Sequence, residues 1–229
     1  MYKIYLSPAA HGRDNPCRYD SACGENIHCN LYMDELEPYL LACGFEVKRN
    51  PKDRTGDRLK EAIAESNAWG ADLHYVAHTN AGGGAYSLLM VYDQGTAYGY
   101  AEKLAARRRE IYAGNVKISV QPQWDELRLT AAPAVYDEMV FHDNAKDIAW
   151  FHEHLREMAE ATAKAICDMF GAAFVDPYAK PAEPAPEPES GGDVWYRVQV
   201  GAFREKANAD RLCAELQGKG YAAFVKAGA

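Results

Sequence analysis

Three side chains able to bind a metal stand near the ends of predicted secondary-structure elements. His11 follows the first predicted strand, Glu25 opens the first long helix, and His78 ends the segment DLHYVAH. Two imidazoles and one carboxylate are a typical ligand set for catalytic zinc (Zn2+), with a fourth position left for water. Because the three residues are far apart in sequence, the alternative that each histidine is an ordinary surface or core residue stays open.

A carboxylate near such a set would complete a hydrolytic site, because it can accept the proton of a metal-activated water. The segment PAVYDEM supplies two candidates, Asp137 and Glu138. Successive residues of a strand point to opposite faces of the sheet, so these two carboxylates cannot both face one site. The pattern alone does not choose between them.

The elements that must position these residues alternate between strand and helix. Strands are predicted at 3–8, 45–49, 72–78, 116–120 and 134–139, and helices at 25–44, 56–69, 97–112 and 144–170. This order predicts an α/β fold with a mainly parallel or mixed sheet flanked by helices on both faces. Binding sites in such folds lie on the loops that follow the strands, which suits His11 and His78.

A proline-rich segment divides the chain into two predicted domains. Residues 176–193 read DPYAKPAEPAPEPESGGD, which is typical of an extended linker. Residues 1–175 before it are numerous enough to bury their own core. Residues 194–229 after it predict a small βαβ half-unit of ferredoxin-like type, with strands at 195–200 and 221–225. So short a unit is expected to be loosely held.

Composition excludes several classes of protein. The 229 residues include 33 acidic and 25 basic side chains, for a net charge of −8. Nucleic-acid binding through a general positive field is therefore not expected. No apolar run reaches the ~18–20 residues of a membrane span, and the first residues do not resemble a secretory signal. Six cysteines are too few for a disulfide-rich scaffold.

The order of the fragments resembles the zinc-dependent N-acetylmuramoyl-L-alanine amidases of the type-3 family. The resemblance covers residues 2–171 and is carried by IYLSPAAHG, ADLHYVAHTNA and PAVYDEMVFHDN. It implies that His11, Glu25 and His78 bind zinc. It also implies that Glu138 is the catalytic carboxylate, which removes Asp137 from consideration.

Two further residues acquire candidate roles from the resemblance. Asn80 follows His78 in the His-x-Asn arrangement of the family and is a candidate for substrate contact. His28 lies one helical turn after Glu25 and is a candidate partner behind the metal ligands. The alternative for His28 is a histidine on the helix surface.

The implied activity is peptidoglycan hydrolysis at the amide bond between N-acetylmuramic acid and the L-alanine of the stem peptide. A zinc-activated water would attack this bond, and Glu138 would take its proton and pass it to the departing amine. Three alternatives remain. The first alternative is a zinc peptidase acting within stem peptides, the second is an inactive cell-wall binding protein, and the third is an α/β domain whose histidines have no catalytic role.

The segment after the linker resembles the first half of a SPOR domain, in VQVGAF and the helix that follows it. SPOR domains bind glycan strands stripped of their stem peptides. The partners implied for the chain are therefore peptidoglycan and, through this partial domain, denuded glycan. The expected place of action is the cell wall. The lack of a signal sequence predicts release in the manner of a phage lysin, or removal of a signal from a longer chain.

Overall fold

Two units make up the chain, Met1–Lys180 and Pro181–Ala229. The computed structural model describes residues 1–9, 15, 17–18, 24–50, 59–179 and 198–226. The strands are β1 (Lys3–Pro8), β2 (Glu46–Arg49), β3 (Leu73–Asn80), β4 (Tyr86–Val91), β5 (Asn115–Val120) and β6 (Ala134–Phe141). The helices are α1 (Glu25–Ala42), α2 (Leu59–Trp69), α3 (Thr96–Ile111), α4 (Asp125–Arg128), α5 (Ala145–Glu153), α6 (Leu155–Phe170) and α7 (Lys206–Gly218).

The strands of the first unit form one mixed sheet in the order β2-β1-β3-β6-β4-β5. The first four strands of this order run parallel to one another, whereas β4 is antiparallel to β6 and parallel to β5. Strands β1, β3 and β6 are buried along almost their entire lengths. Such burial is expected of central strands that are covered on both faces. The predicted α/β fold class is confirmed.

Helices cover the two faces of the sheet unequally. Helices α1, α3 and α6 pack on one face, where the main apolar core joins Ile4, Leu36 and Ile166. The other face carries α2 and the short α4, whose Glu126 accepts a hydrogen bond from the Ser7 hydroxyl at 2.5 Å. The second apolar cluster, on this face, is much smaller. The thinner cover leaves room for a site on this face.

The predicted elements of the first unit are present, with three differences, of which the first is that the short helix α4 was not predicted. Strand β4 was not predicted, because its apolar run LLMV follows the glycines at 82–84 without clear alternation. The helix predicted at 144–170 is instead two helices, α5 and α6. The break falls at His154, whose backbone (φ −116°, ψ 21°) is not helical and whose Nδ1 donates to the Trp150 carbonyl oxygen at 2.9 Å.

The second unit differs from the predicted βαβ half-unit. Helix α7 forms, but residues 198–203 and 221–226 are not strands, and residues 195–197 lie outside the described residues. The physical reason is a shortage of partners, since α7 buries no residue and the side chains of Val198, Tyr221 and Phe224 are 88%, 65% and 75% exposed. Two isolated strands and one helix offer too little apolar surface to hold a sheet.

No helix among the described residues is both long and apolar enough to cross a membrane.

Candidate active site

The central parallel strands bring two of the predicted site residues to one edge of the sheet. His78 on β3 lies directly opposite Glu138 on β6. The backbone of Ala9, just after β1, donates to the carbonyl oxygen of Ala77 at 2.9 Å. His11 follows two residues later and lies outside the described residues. The register therefore places His78 and Glu138 side by side, and the chain leading to His11 beside them.

Glu25 and His78 are in direct contact. Glu25 Oε1 lies 2.8 Å from His78 Nδ1 and accepts a hydrogen bond from the backbone N–H of Thr79 at 3.1 Å. Glu25 Oε2 accepts from Asn15 Nδ2 at 2.5 Å. Helix α1 begins at Glu25, and the positive end of a helix dipole stabilises a carboxylate there. The two side chains are 3% and 8% exposed, so the contact is a buried one.

The chemistry of this pair fits a zinc site that needs further ligands. A tetrahedral zinc with bonds of ~2.0–2.1 Å holds its ligand atoms roughly 3.3 Å apart. The separation of 2.8 Å between Glu25 Oε1 and His78 Nδ1 is that of a direct hydrogen bond, so the two atoms would have to move apart by about 0.5 Å to share a metal. Among the described residues, no group of three His, Cys, Asp or Glu side chains is placed to hold a metal. His11, the third ligand implied by the family resemblance, lies outside that part of the chain.

The surroundings of His78 are charged and buried. Burial lowers the pKa of His78, but the hydrogen bond with Glu25 and the charges of Glu25 and Glu138 outweigh it, and the pKa is raised. The ring of Tyr136 stacks on the imidazole, with centroids 4.4 Å apart and planes 29° apart. The Trp124 ring meets Tyr136 edge-on at 4.9 Å. Tyr136 thus fixes the orientation of the imidazole.

Glu138 has the properties expected of a proton-transfer group. Burial raises its pKa to about 7, with further upward contributions from Glu25 and Asp137 and a downward one from His78. Its Oε2 is buried and has no hydrogen-bond partner among the described residues. A carboxyl whose pKa lies near neutral can accept and release a proton under ordinary conditions.

Asp137, the competing carboxylate, lies on the opposite face of β6. Its Oδ2 is 2.6 Å from Arg108 Nη2 and accepts a hydrogen bond from the Tyr75 hydroxyl at 2.6 Å. Arg108 also donates to Ser87 Oγ at 2.9 Å. Asp137 and Arg108 are 0% and 2% exposed, so Asp137 belongs to a buried structural ion pair.

Asn80 and His28, the two further candidates, both make contacts within the surrounding structure. Asn80 Oδ1 accepts from the backbone N–H of Ala81 at 2.8 Å and so begins the glycine loop after β3. His28 is fully buried rather than on the helix surface, and its ring lies 4.9 Å from His152 and 5.9 Å from Phe151. Burial, followed by the charges of nearby histidines, lowers the pKa of His28 to about 4.

The glycine loop after β3 is held against the site edge by contacts that sequence patterns did not reveal. The Asp143 carboxylate accepts from the backbone N–H groups of Gly82 and Gly83 at 2.7 and 2.9 Å. A Cβ at Gly84 would lie 2.5 Å from Cζ of Phe141, so a larger residue there would require the buried Phe141 ring to move. Tyr136 was also missed. Its alternation with Glu138 on one face was the available signal.

The chain is similar over almost its whole length to two bacterial proteins. It is 30% identical over 236 residues to "N-acetylmuramoyl-L-alanine amidase CwlM" of Bacillus licheniformis, a match that covers 98% of this chain and 85% of that protein. It is 26% identical over 234 residues to "Sporulation-specific N-acetylmuramoyl-L-alanine amidase" of Bacillus subtilis (strain 168), covering 98% of this chain and 84% of that protein.

Solved structures share the fold. AmiC2, an N-acetylmuramoyl-L-alanine amidase of Nostoc punctiforme, superposes with a TM-score of 0.65 at 15% identity, over 74% of this chain and 97% of that chain. The catalytic domain of CwlV from Bacillus (Paenibacillus) polymyxa var. colistinus gives a TM-score of 0.65 at 16% identity, over 76% of this chain and 100% of that one.

The SPOR domain family matches residues 160–227. This range begins within α6, whose Ala163 and Ile166 are buried in the core of the first unit. It then runs through the predicted linker and across α7. The match therefore starts earlier in the chain than the boundary predicted at residue 194.

Proposed function

The chain belongs to the N-acetylmuramoyl-L-alanine amidase family, and we propose that it hydrolyses the amide bond between N-acetylmuramic acid and the L-alanine of the stem peptide in peptidoglycan. The observation that carries this proposal is the buried trio of Glu25, His78 and Glu138. Glu25 and His78 lie in direct contact, and Glu138 stands opposite His78 on the neighbouring strand. This arrangement combines metal-binding groups with a carboxyl poised near neutral pH.

The proposal assigns zinc to His11, Glu25 and His78. Bound zinc supplies Lewis acidity, which lowers the pKa of water toward ~7 and polarises a carbonyl. Glu25 is held for this task by Asn15 and by the backbone of Thr79. Such outer contacts fix the orientation of a ligand and tune its basicity.

Glu138 moves the proton. In the proposed reaction it accepts the proton of the attacking water and then delivers it to the departing nitrogen of L-alanine. In the metal-free chain, burial raises the pKa of Glu138 above that of an ordinary carboxyl, which favours its acceptance of a proton. Its buried Oε2 has no competing donor among the described residues and is therefore available to the proton. Tyr136 stacks on the His78 imidazole, and Leu127 of α4 belongs to the same small apolar cluster as Tyr136.

Product analysis tests the proposal. Purified peptidoglycan is digested with the full chain, with and without a zinc chelator, and the products are identified by mass spectrometry. We expect chelator-sensitive release of intact stem peptides that begin with free L-alanine, and none from a Glu138→Gln variant that retains zinc. Shortened stem peptides would instead indicate the zinc peptidase alternative. A zinc-loaded protein that releases nothing from several wall types would support an inactive binder.

The C-terminal segment adds a wall-binding role to the proposal. The match to SPOR domains at residues 160–227 supports binding to denuded glycan, the product that an amidase leaves behind. The protein would then act at the cell wall and stay on the strand it has processed. Cosedimentation with peptidoglycan, before and after complete removal of stem peptides, tests this role. Equal binding of the full chain to both forms would contradict it.

A further inference from the structure

A row of three side chains leads from Glu138 across the face of the sheet. Glu138 on β6 lies opposite Leu88 on β4, and Leu88 lies opposite Lys117 on β5. Residues directly opposite each other on neighbouring strands point to the same face. This is the face that carries His78 and Tyr136, not the face packed by α3. Glu138, Leu88 and Lys117 are respectively buried, half-buried and exposed, so the row opens toward solvent.

The ammonium group of Lys117 is held in place on this face. Its Nζ lies 3.6 Å from the centroid of the Tyr86 ring, a cation–π contact. Tyr86 in turn packs edge-on against Phe141 at the end of β6, at a centroid distance of 4.7 Å. Lys117 makes no ion pair with any carboxylate in the described part of the chain. An oriented cation that has no carboxylate partner among the described residues is suited to bind an anion from a ligand.

The spacing of the row defines which anion it can reach. Neighbouring strands lie about 4.8 Å apart, so the backbones at Glu138 and Lys117 are separated by about 10 Å. An extended peptide advances about 3.3 Å per residue. A peptide that starts at the scissile amide beside Glu138 and crosses Leu88 would therefore bring its second or third residue to Lys117.

We propose that Lys117 determines specificity by binding a carboxylate on the second residue of the peptide part of the substrate. This inference rests on the proposed amidase function. The net charge of −8 and the carboxylates of the site repel an acidic peptide, and a local cation offsets that repulsion. Leu88 supplies the apolar surface between the scissile bond and the ammonium group.

The test uses two synthetic muramoyl peptides that differ only at the acidic second residue, which carries either a free carboxylate or its carboxamide. We expect the wild-type chain to prefer the carboxylate form by about fivefold in kcat/KM, mainly through KM, as for one partly exposed ion pair. The preference should weaken as salt rises. The variant Lys117→Met should lose the preference, whereas Lys103→Met, an exposed lysine on α3, should retain it.

A binding measurement separates this inference from the amidase proposal. Titration calorimetry with the two free stem peptides needs no turnover, and the wild type should bind the carboxylate form about fivefold more tightly. Equal binding and equal kcat/KM for the two forms would overturn the role of Lys117. A Lys117→Met variant that slows both substrates equally would do the same. Failure to release from either substrate a peptide that begins with L-alanine, with the binding preference intact, would overturn only the amidase chemistry.

Discussion

Two neighbouring carboxylates on β6, Asp137 and Glu138, should respond oppositely to the same chemical change. Each is converted to its neutral isostere, in the variants Asp137→Asn and Glu138→Gln. The first change removes the counter-charge of Arg108, with which Asp137 forms a buried pair at 2.6 Å. The second removes a carboxyl that lies on the other face of the strand and whose Oε2 has no partner among the described residues.

The surroundings of the two carboxylates set the size of the stability change expected for each variant. Leaving one member of a buried ion pair uncompensated costs about 3–5 kcal/mol. For a unit of this size, that loss lowers Tm by roughly 6–20 °C. Burial raises the pKa of Glu138 from 4.5 to about 7. In the metal-free protein at pH 8, ionised Glu138 therefore destabilises the fold by at most about 3 kcal/mol.

Glu138→Gln should consequently keep or raise Tm at pH 8. The gain should shrink as the pH falls from about 7 and vanish below pH 4.5, where the wild-type carboxyl is protonated in both the folded and the unfolded chain. Thermal unfolding followed by circular dichroism in chelator measures both effects, and amidase activity is then assayed with zinc restored. Asp137→Asn should have a lower Tm than the wild type but retain activity below that Tm, whereas Glu138→Gln should be folded and inactive. An Asp137→Asn variant with unchanged Tm, or a folded Glu138→Gln variant with full activity, would refute the reasoning.

Three further perturbations have defined outcomes. Gly84→Ala should lose about 1–3 kcal/mol of stability in denaturant titrations because its Cβ meets Phe141, whereas Gly99→Ala, a helical position with open space, should be neutral or slightly stabilising. The pKa of His28 is lowered to about 4, so the contribution of neutral His28 to the stability of the metal-free protein should be fully present above pH ~6.5 and be lost as the pH decreases toward 4. A His28→Asn variant whose Tm shows the same pH dependence as the wild type would contradict this. If the proposed zinc site is correct, elemental mass spectrometry should find roughly one zinc per wild-type chain and much less in His78→Ala, and full retention of zinc in the variant would remove His78 from the ligands.

Much of the first unit could be predicted because its sequence patterns are local. Strand β1 and helix α1 follow from an apolar strand run and a helical apolar face. The opposite orientation of Asp137 and Glu138 follows from the pleat of a strand. The identity of the ion-pair partner could not be predicted, because Arg108 reaches Asp137 from a helix 29 residues earlier in the chain. Only the packing of α3 on the sheet determines that contact.

The unpredicted features depend on contacts between distant segments. Strand β4 is specified by pairing with β5 and β6 more than by its own alternation. The burial of His28 depends on α5, which packs against α1 from more than 100 residues later. The second unit shows the reverse case, since residues 221–226 have a strand-like pattern but no partner strand among the described residues. Local propensity yields a strand only where a neighbouring strand exists to pair with it.

Hydrolysis of a defined muramoyl pentapeptide in 18O-labelled water tests the central claim most directly. We predict that the wild-type, zinc-loaded chain incorporates one labelled oxygen into the lactyl carboxylate of N-acetylmuramic acid and releases a pentapeptide with an unlabelled carboxyl terminus and a free L-alanine amine. The Glu138→Gln variant should produce neither product. Label in a carboxyl group of the peptide, with the muramoyl amide intact, would contradict the account and identify the protein as a peptidase.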